Sequence, residues 1–394
     1  MSSFKIKEHI VEASYIREYA HATSHSQDEK LQLHVKQYIP KDNELYEPLW
    51  EDIYQEAKSR NLNIHSILIA DAAWQGQSGL INKDSLGNDP SWLDYARDML
   101  QIINVFRPPP PIIGVGHSFG ANALANVALI HPRLFTSLVL LDPVISYFSA
   151  IPDRTTPSPA SISMSRREVW PSHAEAASAF RRSPFFKTWN PRVLDRWITY
   201  GVTGIPGKDE VTLTTTKHHE VFNFLRPSWG AYDAEGETLL RPELVPDLDP
   251  NLHPSWPTYP FYRSEGPDTA RRLPHLRPSV LYIFGGKSNI SPIELQEEKM
   301  TLTGSGVGGS GGQNKGRVGR AVGEENSHLI PMEDPLFCAR KTTEWIKKEV
   351  ERWWVDERMY EDWTTKPTEE KTTLSEEHKR YLGLEVKAKA KAKI

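Results

Sequence analysis

The stretch IIGVGHSFGANALANVALI (Ile112 to Ile130) constrains this chain more than any other. Ile112 to Gly116 is a short apolar run of the kind a buried parallel strand needs, and Ala121 to Ile130 reads as a helix. Between them stands Gly116-His117-Ser118-Phe119-Gly120, a G-x-S-x-G pattern. A serine forced to turn from strand to helix in so few residues adopts strained backbone angles. Its hydroxyl is thereby lifted above the sheet. The flanking glycines are expected to let neighbouring elements approach, and the Phe119 N–H is expected to point at a developing oxyanion.

The rest of the chain alternates strand-like and helix-like runs, which calls for a mostly parallel sheet covered by helices. Leu31 to Ile39 alternates as a half-exposed strand, Pro48 to Arg60 has one apolar helical face, and His65 to Asp71 reads as a buried strand. Asp89-Pro90 opens a helix that Pro108 to Pro111 must stop. Phe135 to Leu141 and Ser279 to Phe284 are two further buried strands, and Asp334-Pro335 starts a last long helix. The predicted core is therefore discontinuous, residues 1–145 and 275–352. The interruption, 146–274, is rich in Pro, Trp, Arg and Ser and reads as a helical lid or cap. Its Trp170, Trp189, Trp197, Trp229 and Trp256 are expected chiefly to form the lid's own small core. Thr303 to Gly323 holds nine glycines and reads as a flexible loop, while 355–394 reads as a charged, disordered tail.

A serine hydroxyl is too weak an acid to attack unaided, so a base is required. Around such an elbow the catalytic groups follow in the order serine, acid, histidine. His328 alone among 14 histidines has both that order and a place in the loop before the last helix. The acid is less direct. The loop after the Phe284 strand reads Gly285-Gly286-Lys287-Ser288-Asn289, and an amide at Asn289 cannot supply the charge that stabilises an imidazolium. Asp142, at the tip of the strand after the nucleophile helix, is the favoured acid, with Glu294 second. Other patterns fail their tests. Gly304, Gly306 and Gly309 spell G-x-G-x-x-G without the strand and helix a dinucleotide site needs, and His218-His219-Glu220 lacks a partner set for a metal. No cofactor and no metal are expected.

Composition removes several classes. A formal net charge of −4 gives no basic field for nucleic acid. The single cysteine, Cys338, rules out an internal disulfide and suits a reducing compartment, where it would serve as a small buried hydrophobe. No apolar run approaches the ~20 residues of a membrane span, and Met1-Ser2-Ser3-Phe4-Lys5 leads into no apolar signal region. The ending Ala392-Lys393-Ile394 copies the small-basic-aliphatic shape of a peroxisomal import address. A peroxisomal location, with the import receptor as a partner, is the first expectation and a cytoplasmic one the alternative.

The stretches ELYEPLW (44–50), LGNDPSWLDYARDML (86–100), GVGHSFGANALANVALIHPRLF (114–135), LVLLDPV (138–144), YIFGGKS (282–288), TGSGVGGSGG (303–312) and SHLIPME (327–333) resemble the fungal peroxisomal α/β-hydrolases. That group includes proteins of host-selective toxin biosynthesis and a peroxisomal lipase-like branch, and the likeness runs over about residues 30–350. The resemblance implies the α/β-hydrolase fold, Ser118 as nucleophile and His328 as base. It also favours Asp142 as acid, because the family loop after YIFGGKS lacks an aspartate. One departure stands out. From Ile39-Pro40 the chain passes through Lys41-Asp42-Asn43 into Glu44 with no room for the strand and small-residue loop that would supply the second oxyanion N–H. An early central strand is predicted to be missing, either in the protein or through a deletion in the gene model. The expected function is a serine hydrolase of an ester, thioester or lipid acyl bond with a small apolar acyl substrate. The alternative is a non-catalytic member disabled by the missing loop.

Overall fold

The computed structural model describes residues 2–45, 48–147, 158–249 and 258–384. The chain divides into two compact units, Met1–Lys347 and Lys348–Ile394. In the first, β1 (Ser2–Glu12), β2 (Gln32–Leu45), α1 (Pro48–Ser59), β3 (Ile67–Ala70), α2 (Gly76–Ile81), α3 (Trp92–Phe106), β4 (Ile113–His117), α4 (Ser118–Ile130) and β5 (Ser137–Leu141) follow in order. An intervening region carries α5 (Pro159–Ser165), β6 (Val169–Trp170), α6 (His173–Arg182), α7 (Pro191–Tyr200), β7 (Val202–Gly204), β8 (Val211–Leu213), α8 (Lys217–Phe224), β9 (Arg226–Pro227), β10 (Phe261–Tyr262) and α9 (Glu265–Arg272). The alternation then resumes with β11 (Ser279–Gly285), α10 (Ile293–Leu302), β12 (Val318–Gly323), α11 (Ile330–Glu333) and α12 (Pro335–Thr364).

Four parallel strands in the order β12-β11-β5-β4 form the sheet that carries the elbow. All five residues of β5 and all seven of β11 are buried, which is why both read as unbroken apolar runs. The antiparallel strands β1-β2-β3 form a second sheet. No ladder joins β3 to β4, and among the described residues no strand lies between them. The Pro40–Glu44 stretch is not a free connection, since β2 runs on through Leu45 against β1, with a register shift between Ser2 and Phe4. The outer edge of β3 is covered instead by a side chain: the Tyr95 hydroxyl donates to the Ala70 carbonyl at 2.8 Å.

Gly116 shows why the elbow needs a glycine. A Cβ there would lie 2.9 Å from both the Cα and the backbone nitrogen of Ala121, where α4 crosses β4. The expectation that both flanking glycines serve close approach needs correcting for Gly120, whose added Cβ would meet nothing within 4 Å. Gly116→Ala is therefore expected to cost about 1–3 kcal/mol of stability through overpacking. Gly120→Ala is expected to leave the melting temperature unchanged or slightly raised, since alanine favours helix. Thermal unfolding of the two variants checks this; equal losses would contradict it.

Three sequence expectations meet a different structure. The glycine-rich 303–323 segment ends in β12, paired along its length with β11, and its earlier amides bond to the Leu273, Pro274 and Leu276 carbonyls. The interruption expected to be a helical lid is not purely helical: β6-β8-β7 and β10-β9 form two small sheets within it. The expected disordered tail contains the end of α12, then α13 (Thr368–Thr372) and α14 (Glu376–Tyr381). Ala392-Lys393-Ile394 and Trp256 lie outside the described residues. Trp170 and Trp197 pack with Phe180 and Phe186 in one cluster of the inserted region, Trp189 meets Phe186 edge-on, and Trp229 is exposed.

The region between β5 and β11 is tied to the flanking elements by charge. Arg192 of α7 makes a paired bond to Asp52 of α1 at 2.9 and 2.6 Å, and Arg226 of β9 grips Asp89 at 2.7 and 2.9 Å. Buried Glu265 accepts from the Ser91 hydroxyl, the Trp92 amide and Arg263. Bidentate arginine–carboxylate pairs of this kind fix orientation as well as distance.

Candidate active site

Ser118 sits between β4 and α4 with φ of 57°, and Asp142 follows β5 with φ of 40°. Non-glycine residues in this left-handed region are strained, and strain of this kind clusters at functional sites. Both lie at the same end of adjacent parallel strands, because His117 pairs in register with Leu141. The third group arrives from the loop after β12, where His328 precedes α11.

The three side chains form a continuous hydrogen-bonded line. His328 Nε2 lies 2.9 Å from Ser118 Oγ, and His328 Nδ1 lies 2.6 Å from Asp142 Oδ2. Asp142 is wholly buried while the His328 side chain keeps 25% of its surface, so the carboxylate is shielded and the imidazole faces outward. An Nδ1–H donated to the carboxylate leaves Nε2 free to accept from the serine. The Phe119 N–H belongs to the first turn of α4, whose amides have no intrahelical acceptor. Its side chain is wedged between Trp92 and Tyr95, each ring centroid 5.8 Å away.

Of the residues weighed as acid, Glu294 is exposed in the first turn of α10 and Asn289 is exposed in its loop. That loop contributes in another way. The Ser288 hydroxyl donates to Asp142 Oδ2 at 2.6 Å, a buried bond that steadies the carboxylate. Sequence reasoning passed over Ser288 because it searched that loop for an acid and not for a donor. It also passed over Lys299, fully buried on α10, whose ammonium bonds the Leu295 carbonyl at 3.3 Å. Burial brings Lys299 down to about 8, opposed by the fields of Asp142 and Glu298.

His117 is the other residue the motif concealed. Its Nε2 lies 2.8 Å from the His328 backbone carbonyl, with the two rings 4.9 Å apart. Desolvation, then the neighbouring His328 imidazole, lower its pKa from 6.5 to about 4. The unfolded chain thus takes up a proton near pH 6.5 that the folded chain refuses until about pH 4. The folded state binds fewer protons in that window, so this stability is lost as pH falls from about 6.5 to about 4, by at most about 3 kcal/mol. His117→Gln is expected to lose less stability than the parent between pH 7 and pH 4.5 in urea unfolding. Parallel losses would contradict the assignment.

Among the described residues no group of three or more His, Cys, Asp or Glu could hold a metal. His219 bonds the Thr216 hydroxyl at the start of α8, and the Gly304, Gly306 and Gly309 amides are taken up by chain carbonyls. No helix of the described residues is long and apolar enough to cross a membrane.

Comparison with known proteins agrees with this architecture. Residues 50–341 match the model of the alpha/beta hydrolase family, and the chain belongs to that family. A type I acyl-CoA thioesterase of Penicillium brevicompactum is 36% identical over 403 aligned positions, covering 91% of each chain. An abhydrolase domain-containing protein of Alternaria alternata is 28% identical over 246 positions, covering 61% of this chain and 84% of the other. A peroxisomal α/β-hydrolase of Saccharomyces cerevisiae superposes with a TM-score of 0.63 at 17% identity, over 95% of this chain and 100% of the other.

Proposed function

We propose that this chain hydrolyses acyl thioesters, acyl-CoA above all, through Ser118, His328 and Asp142. The observation that carries the reading is the unbroken line from Ser118 Oγ through the imidazole to the buried carboxylate, at 2.9 and 2.6 Å. Ser118 Oγ would attack the thioester carbonyl carbon as His328 Nε2 takes its proton, and the Phe119 N–H would hold the oxyanion. The imidazolium returns that proton to the departing thiolate, leaving an acyl-serine. Water, deprotonated by the same nitrogen, then releases the free acid. Asp142 keeps the imidazole in the productive tautomer and offsets its transient charge. The thioester preference rests on the thioesterase relative; the triad alone serves oxygen esters equally well.

The test is thiol release from acyl-CoAs of graded chain length beside matched oxygen esters. Turnover of at least one acyl-CoA in preference to its ester supports the reading, and hydrolysis of esters alone would move the substrate class. The break between β3 and β4 favours a second reading, a folded but non-catalytic protein lacking one oxyanion donor. Loss of one such donor costs about 100- to 1,000-fold in rate. A rate reduced to that extent, yet dependent on Ser118, separates a weakened enzyme from an inert one. The resemblance of Ala392-Lys393-Ile394 to an import address supports a peroxisomal site of action, tested by fluorescent fusions with and without the tripeptide.

A further inference from the structure

The elbow holds more than the nucleophile. His117 ends β4 and is fixed by its register with Leu141, one residue before Asp142. Its Nε2 lies 2.8 Å from the His328 carbonyl, and since a carbonyl can only accept, the proton must sit on that nitrogen. On its other side the His328 loop is anchored by Glu333, which accepts from the Ser327 amide at 2.7 Å and the Ser327 hydroxyl at 2.6 Å. The imidazole of His328 is held by Asp142, and its loop is tied to the end of β11 by the Lys287 amide, which donates to the Asn326 carbonyl at 2.8 Å. The bond from His117 is the one made to the backbone of the histidine itself.

We propose that His117 is a positioning residue, a neutral donor whose bond to the His328 carbonyl keeps the base aligned between Asp142 and Ser118. The inference rests on the triad reading above. Neutrality matters because His328 becomes positive as it takes the serine proton, and a second cation 4.9 Å away would oppose that step. The low proton affinity of His117 keeps the donor uncharged at neutral pH. The residue before the nucleophile and the loop carrying the base are thus locked as one unit.

The test compares wild type, His117→Gln, His117→Phe and Ser118→Ala for hydrolysis of an acyl-CoA and of p-nitrophenyl butyrate. Glutamine can extend an N–H toward the same carbonyl, whereas phenylalanine fills the space without a donor. His117→Phe is expected to lower kcat by about 10- to 100-fold, as a misplaced catalytic group does, with KM within about twofold. His117→Gln is expected to recover most of that loss. Equal rates for the two His117 variants, whether both normal or both impaired, would overturn the inference. Activity retained by Ser118→Ala would instead overturn the triad reading on which it rests. Should His117→Phe fail to fold, the histidine ¹⁵N spectrum of wild type against His117→Gln decides. A His117 signal with the proton on Nε2, unchanged from pH 5.5 to 8, supports the tie; a titrating or Nδ1-protonated ring refutes it.

Discussion

Ser118→Ala is expected to lower kcat by as much as about 10⁶-fold, with the fold and KM little changed. The size follows from the chemistry, because no other described group lies 2.9 Å from His328 Nε2 with a proton to give. Binding and the remaining oxyanion donor would still act on the substrate, so a residue of about 10³–10⁴ over water should persist. Steady-state kinetics on an acyl-CoA, with circular dichroism to verify folding, measure the effect. A loss below tenfold would mean that Ser118 is not the attacking atom.

The second large effect concerns the acid. Asp142→Asn is expected to reduce kcat by about 10⁴-fold while leaving the fold intact. An amide turned with its N–H toward His328 Nδ1 presses the imidazole toward the tautomer with its proton on Nε2, where it can no longer accept from Ser118, and an amide turned with its oxygen there lacks the charge that offsets the imidazolium. Glu294→Gln, in contrast, should leave kcat within twofold, since Glu294 is exposed in the first turn of α10. Rates at matched pH for the two variants check the assignment; a larger loss at Glu294 would transfer the acid there.

What the sequence revealed, and what it hid, has a physical pattern. The elbow, β5 and β11 were legible because buried parallel strands are short apolar runs and the strained serine needs its glycine neighbour. β12 was hidden by its own packing. Gly319 sits where a Cβ would come within 2.7 Å of the Trp345 ring, so a glycine required for close approach read as a loop residue. β1 was hidden because an edge strand with one solvated face (FKIKEHIVE) carries as many charges as a loop. Among the described residues no strand lies between β3 and β4, an absence the sequence expectation drew from the shortage of residues between Pro40 and Glu44. How β3 covers its open edge, through Tyr95, could not be read, because a hydroxyl-to-carbonyl contact across 25 residues leaves no periodic mark.

The donor roles were the least visible. The proposed nucleophile, base and acid are marked by residue type and chain order, whereas the contacts of His117 and Ser288 arise from geometry that only the folded chain creates. Ser288 stands where an acid was sought, and His117 stands at the variable position of the motif.

A fluorophosphonate probe followed by peptide mapping tests the central claim most directly. The account predicts a single phosphonyl adduct on the peptide carrying Ser118, formed by the folded wild-type protein and absent from Ser118→Ala. Folded protein that takes up no probe, or an adduct that survives the alanine substitution, would contradict it.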